Sequence, residues 1–354
     1  MNRKRFWPDP SQELLLALCL YREPDAAARC WREWKARVDL DDLDHASFPL
    51  MSLVYLRLRE LGIEDAELGR IKGLHRYRWT QSQVAARGRL AVLKALGGDG
   101  IPTMLAGGAA LAGSAYPDPA ARGMEDTEIV VPLAALERAV RLLESHGWLA
   151  RNFDPVRTPE WFAACALLHP EHGETWLRWR PFNTRRNSGQ DWWEAAEAFQ
   201  YEDTATHVPC AADQFLRASE RGMDPAFPAS LQWLADSVFL IRRAAAPLDW
   251  KRLADQARRH HLALQAREAL GYLRHFEKSI PGDVIAALAR IPVPLDARIE
   301  YHLAGRPASK QGDLTHKFGN AACRYLRMEP GERLGQFFRD VPRVAGLLRR
   351  SKAG

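Results

Sequence analysis

In the segment RGMEDTEIVV, residues 122–131, the acids Asp126 and Glu128 are separated by a single residue. On an extended strand that spacing puts both carboxylates on one face with Val130, about 6.5–7 Å apart along the backbone. Hard oxygen ligands so placed suit Mg²⁺, which keeps several waters and takes substrate phosphates as further ligands. One or two such ions sharing a carboxylate would activate an attacking oxygen and stabilise a departing pyrophosphate. Taken alone, the pair also reads as the acidic outer face of a surface strand. Upstream, Gly107 and Gly108 close the apolar run IPTMLA and precede AALAGSAY. Backbone amides at such a turn approach a phosphate with no Cβ in the way, and a helix N-terminus adds favourable partial charge. A strand, a Gly-Gly turn, a helix, a loop and a strand with spaced acids together make a phosphate-and-metal arrangement.

The elements that must position these residues follow from the patterning. Residues 11–95 read as helical, with Leu14, Leu15 and Leu18 at helical spacing, a second helix around Met51–Leu58, and a third from Arg76 to the stop at Gly97-Gly98. Residues 101–106 read as a buried strand and 109–116 as a short helix broken by PDP at 117–119. Pro132 ends the acidic strand, and Leu133, Leu136, Val140 and Leu143 mark a helix ending near Gly147. The runs ACALLHP and ETWLRWRPF, separated by His172-Gly173, read as paired strands. From Asp191 onward the pattern is helical again, ending in a basic, solvated tail after Gly331. The expected fold class is α+β: a small mixed sheet embedded in a mostly helical chain. Its parts are an N-terminal helical region (1–96), an α/β core (97–190) and a C-terminal helical region (191–354).

The ordered text MLAGGAAL, AYPDP, RGMEDTEIVV and TWLRWRPF, with LQWLADSVFLI and LDWKRLADQARRH downstream, resembles the bacterial uncharacterised nucleotidyltransferase family. That family lies within the DNA polymerase β-like nucleotidyltransferase superfamily. The likeness covers most of residues 85–275. It implies a polymerase β-like core and Mg²⁺-dependent transfer of a nucleoside monophosphate from a nucleoside triphosphate. By position, Gly107 and Gly108 would cradle phosphates, Arg122 would support the strand or meet phosphate, and Asp126 and Glu128 would hold the metal ions. Three departures bear on catalysis. Gly107 stands where the family has Lys, Glu128 replaces a second Asp, and Trp176 occupies the place of a third Asp. An indole cannot ligate a metal or take a proton. Glu174, two residues earlier on the same strand face, is the candidate to replace that general base. Arg178 stands at the family's His position. The alternative reading is a catalytically degenerate member that binds a nucleotide or a partner.

Composition sets outer bounds. With 354 residues, 47% hydrophobic and 27% charged, the chain has the profile of a globular protein. No apolar run approaches the ~18–20 residues of a membrane span. The opening MNRKRFWPDPSQELLLALCL is interrupted by Pro8, Pro10 and Glu13, so an amphipathic helix after Ser11 is expected rather than a leader. Five scattered cysteines with no C-x-x-C pair point to neither zinc nor a disulfide framework and place the chain in the cytoplasm. The net charge of +6 suits an anionic ligand without requiring nucleic acid. The acceptor, whether small molecule, peptide or protein, is not specified. No G-x-S-x-G or P-loop occurs. Asp236, an acid in an apolar helix, calls for a partner, either Arg242, Arg243 or a distant arginine. His260-His261 read as a helix's cationic end, and Trp192-Trp193 as core or groove wall.

Overall fold

A computed structural model describes residues 4–305 apart from 125–127, 152–153, 158, 160–161, 184–188, 225–226, 228 and 243–246. Asp126, Arg243, Cys323 and the basic tail after Gly331 therefore lie outside the described residues. The chain begins with α1 (Pro10–Leu20), which a capping box starts: the Asp9 carboxylate accepts from the N–H of Gln12 while the Gln12 side chain accepts from the N–H of Asp9. Next come α2 (Pro24–Lys35), α3 (Met51–Glu60) and the 31-residue α4 (Leu68–Gly98). The central segment holds β1 (Met104–Ala106), α5 (Gly108–Ser114), β2 (Glu128–Val130), α6 (Leu136–Ser145), β3 (Leu149–Ala150), β4 (Ala164–His169) and β5 (Gly173–Arg178). After the short α7 (Gln190–Glu194) come β6 (Glu197–Tyr201) and β7 (Thr204–Val208). The described chain closes with α8 (Ala211–Gly222), α9 (Gln232–Arg242), α10 (Trp250–Arg259), α11 (Ala263–Leu273), α12 (Gly282–Arg290) and α13 (Leu295–Ala304).

The seven strands form one mixed sheet in the order β3-β4-β5-β2-β1-β7-β6. Strands β4 and β5 form the expected antiparallel hairpin, and β5 runs parallel to β2. One expectation fails. The stretch after Asp191, read as helical, contains the β6–β7 hairpin, and β7 adds parallel to β1 at Met104↔His207, so the sheet continues past residue 190. The alternation of EAFQY with ATHV is a period-2 signal, short and half-exposed, that the neighbouring helical text obscures.

The sheet has two unlike faces. Leu105, Ile129, Leu177, Cys165 and Leu167 point to one side, where α4 (Val92, Leu93, Leu96) and α6 (Leu136, Val140, Leu143) cover them. Met104 and Val130 point to the other, into the larger core built by α8, α9 and the N-terminal helices. That face also carries Glu128 and Arg178, since pairing sets Glu128 opposite Trp176 and Val130 opposite Arg178.

The ends of the described chain meet. The Arg5 N–H donates to the carbonyl of Gly305 (3.1 Å). Its guanidinium donates to the carbonyls of Ala304 (3.1 Å), Asp224 (3.2 Å) and Phe227 (2.8 Å). The helix-end reading of His260 needs correction: it caps α10 but is buried, and that burial lowers its pKa to about 4, so the imidazole is neutral at pH 7 rather than cationic.

Candidate functional site

The turn after β1 is sharp. Gly107 adopts φ 66°, ψ −144°, a backbone region open in practice only to glycine. Because Ala106 pairs with Glu128 in the antiparallel β1–β2 register, this turn lies beside that acid. A Cβ on Gly107 would stand 3.8 Å from the Glu128 carboxyl carbon, and one on Gly108 would overlap Nη1 of Arg122. Gly108 thus leaves room for the Arg122 guanidinium, while Gly107 is required by its positive φ.

Glu128 is buried at 4% exposure and surrounded by arginine. Its Oε1 accepts from Arg217 Nη2 and Arg221 Nη1, both at 2.9 Å. Its Oε2 faces Arg178 Nε and Arg217 Nη2 at 3.3 Å. Burial alone would raise this carboxyl. The charges of Arg178, Arg217 and Arg221 outweigh burial and hold it well below the usual carboxylate range. Two arginines arrive together because 217 and 221 are four apart on α8, one turn of the same face. Strand β7 aims that helix: the Thr103 and Thr206 hydroxyls meet at 2.8 Å, and Gln214 donates to the carbonyl of Pro209 at 2.7 Å. The other Arg217 nitrogen donates to Glu220 at 2.9 Å. Burial, then the neighbouring charge of Arg217, lowers the pKa of Arg178 to about 10, which leaves it protonated at neutral pH.

Arg122, the residue expected to support the strand or meet phosphate, is buried and paired. Its Nη2 lies 3.1 Å from Asp236 Oδ2, and it also donates to the carbonyl of Gly123. The distant arginine sought for Asp236 is therefore Arg122. The Tyr116 hydroxyl donates to Asp236 at 2.7 Å, and Gln232 donates to that hydroxyl at 2.9 Å. This network is a structural lock between the strand approach and α9.

Both clusters open on one cavity of about 240 Å³. Among its described lining residues, Arg78, Arg122, Arg217 and Arg221 stand against the two acids Glu128 and Asp236. Leu111, Phe227 and Trp233 make its apolar side, and Gly107 belongs to its wall. The wall reading of Trp192 holds: its side chain is buried and lines the same cavity. Arg221 also lies over the Phe227 ring, 4.5 Å from its centroid.

The surroundings of Glu128 do not fit a divalent cation. Both oxygens already receive guanidinium groups, and Arg178 and Arg217 are too buried to swing into water. A dication about 4 Å from one guanidinium is repelled by roughly 8 kcal/mol at an effective dielectric of about 20, and three surround this carboxylate. Among the described residues no group of three His, Cys, Asp or Glu comes together as a ligand set. The paired role given to Asp126 lies outside the described residues. Glu174, proposed as general base, faces outward: its Oε2 accepts from Arg151 (3.2 Å) and its Oε1 from Trp176 Nε1 (3.1 Å). Trp176, opposite Glu128 in register, is 40% exposed. His169 accepts through Nδ1 from the N–H groups of Glu171 and His172, which fixes it in a turn. The sequence reading missed Arg217 and Arg221. The signal was present as R-A-S-E-R, two arginines at helical spacing in an otherwise buried helix.

The sequence matches the family model of the uncharacterised nucleotidyltransferases over residues 49–277, about two-thirds of the chain. The chain belongs to this family. The match runs from α3 through α11 and so takes in the Gly107 turn, Glu128, and both arginines of α8. Among solved structures, the crystal structure of an antigenic nucleotidyltransferase-like protein from Paracoccidioides brasiliensis is 14% identical. It covers 62% of this chain and 96% of that chain at a TM-score of 0.33, too distant to bear on the site. A comparison with curated proteins found no match. Among the described residues no helix is long and apolar enough to cross a membrane.

Proposed function

We propose that this nucleotidyltransferase-family chain binds a nucleoside triphosphate on a polymerase β-like core, and that nucleotidyl transfer by it is weak or absent. The phosphate chain would lie along the Gly107–Gly108 turn toward Arg221 and Arg217, and the base and sugar against Phe227 and Trp233. The observation that carries this reading is the row of arginines on the cavity wall beside the glycine turn, where the Arg221 side chain is 29% exposed. Such a wall favours a polyanion. The four described cysteines, Cys19, Cys30, Cys165 and Cys210, are free thiols, in keeping with a reducing cytoplasm.

A second reading, transfer itself, is favoured by one observation: the register sets Glu128 beside the turn, next to where a triphosphate would lie. In that reading Asp126 and Glu128 would hold Mg²⁺, Glu174 would serve as base, and an unidentified acceptor would receive the nucleoside monophosphate. Pyrophosphate release separates the two. The binding reading expects none above background with any of the four triphosphates and Mg²⁺, with candidate small-molecule and peptide acceptors present. Mg²⁺-dependent release that disappears in Asp126→Ala would establish transfer instead.

A further inference from the structure

The surroundings of Glu128 have a consequence for the form in which a ligand is held. In a metal-dependent site, the carboxylate on the strand beside the glycine turn binds the ion, and the ion binds the phosphates. Here Arg217 and Arg221 take that carboxylate at 2.9 Å each, and Arg178 faces its other oxygen. The neighbouring acid cannot supply a ligand in its place: Glu220 accepts from Arg217 (2.9 Å) and from the N–H of Asn183 (2.8 Å). Asp236 is taken by Arg122, Tyr116 and Gln232. Every described acid on the cavity wall thus receives arginine, while Arg221 stays partly open, its side chain 29% exposed. Guanidinium groups can meet phosphate oxygens with paired N–H donors, and their charge is permanent.

We propose that these arginines stand in for the divalent ion, so that the cavity binds a nucleoside triphosphate as the metal-free polyanion. Mg²⁺ then opposes binding, because complexation removes charge from the phosphates that the arginines read. Arg217 is the fixed cation, held between Glu128 and Glu220, and Arg221 is the one that reaches the ligand. This rests on the reading that the cavity takes a triphosphate.

The test is calorimetric titration of the full chain with ATP, GTP, CTP and UTP, in EDTA and again in 5 mM MgCl₂. For the tightest triphosphate, the expected result is an affinity in EDTA tighter than that in MgCl₂, by up to about tenfold, as release from Mg²⁺ restores the lost charge. Binding that is equal in the two buffers within fitting error, or tighter in MgCl₂, overturns the inference while leaving the nucleotide-binding reading intact. Binding of no triphosphate in either buffer overturns that reading and the inference with it. Arg221→Gln, with folding checked by circular dichroism, is expected to lose at least fivefold in affinity in EDTA. An unchanged affinity would remove Arg221 from the phosphate site. The wild-type titrations decide the metal question whatever the fate of that variant.

Discussion

Two buried acids, Glu128 and Asp236, share one cavity and differ in how they are matched. Asp236 has one arginine and two neutral donors, Tyr116 and Gln232, so its charge is balanced. Glu128 has three arginines around it, one of which, Arg217, it shares with Glu220. Burying ions is costly, and a balanced pair is the usual arrangement when the purpose is structural. A cluster of arginines that opens on a cavity through the partly exposed Arg221 can present N–H donors to a further anion. The glycine turn serves both: the positive φ of Gly107 makes the bend beside Glu128, and Gly108 leaves space for Arg122.

That contrast can be broken or sharpened by substitution. Glu128→Ala removes the carboxylate that Arg178, Arg217 and Arg221 share and is expected to cost about 3–5 kcal/mol in urea unfolding. Asp236→Asn keeps an acceptor for Tyr116 and Arg122 and is expected to cost about 2 kcal/mol in the same measurement. If Asp236→Asn costs as much as Glu128→Ala, the number of arginines on each carboxylate does not distinguish the two acids. Gly107→Ala forces a Cβ into a backbone conformation that disfavours it, for about 1–2 kcal/mol, and should also weaken triphosphate binding.

Acid sharpens the contrast further. The Glu128 carboxyl is depressed in the folded state, so its stabilisation is complete above the unfolded carboxyl range and is lost as pH falls toward its folded value. The stability gap between wild type and Glu128→Gln should therefore narrow by about 1 kcal/mol or more from pH 6 to pH 3, measured by denaturant titration at each pH. A gap that stays constant would mean that Glu128 is not held as a charged group. The smallest effect belongs to Trp176→Gln, an exposed position whose replacement should shift stability by no more than about 0.5 kcal/mol. A large loss there would place Trp176 in the site rather than on its margin.

Local signals were legible where chemistry and periodicity agreed. The apolar run ending in Gly-Gly announced β1 and its turn, the ACALLHP and ETWLRWRPF runs announced the β4–β5 hairpin, and Asp236 announced its need for an arginine. What stayed hidden depended on distance along the chain. Nothing within RGMEDTEIVV says that Glu128 will meet a helix some ninety residues later, because the packing of α8 on α9, α10 and α11 after β7 decides where α8 points. The β6–β7 hairpin escaped for a related reason: half-exposed strands carry a weak alternation, and it is their pairing with each other, docked on β1 at Met104↔His207, that makes them strands. The same four letters, an acid, x, an acid and a hydrophobe, suggested a metal site; the arginines that meet Glu128 come from distant β5 and α8, and Asp126 lies outside the described residues.

The Arg5 clasp joins the opening of the chain to the cavity rim, since Phe227, which accepts from Arg5, also lies under Arg221. Expression design inherits a constraint from this. A tag fused close before residue 4, or a gene product started a few codons late, would tug at or remove the latch. The rim would then lose its grip on Phe227 even though every residue of the pocket itself had been synthesised intact.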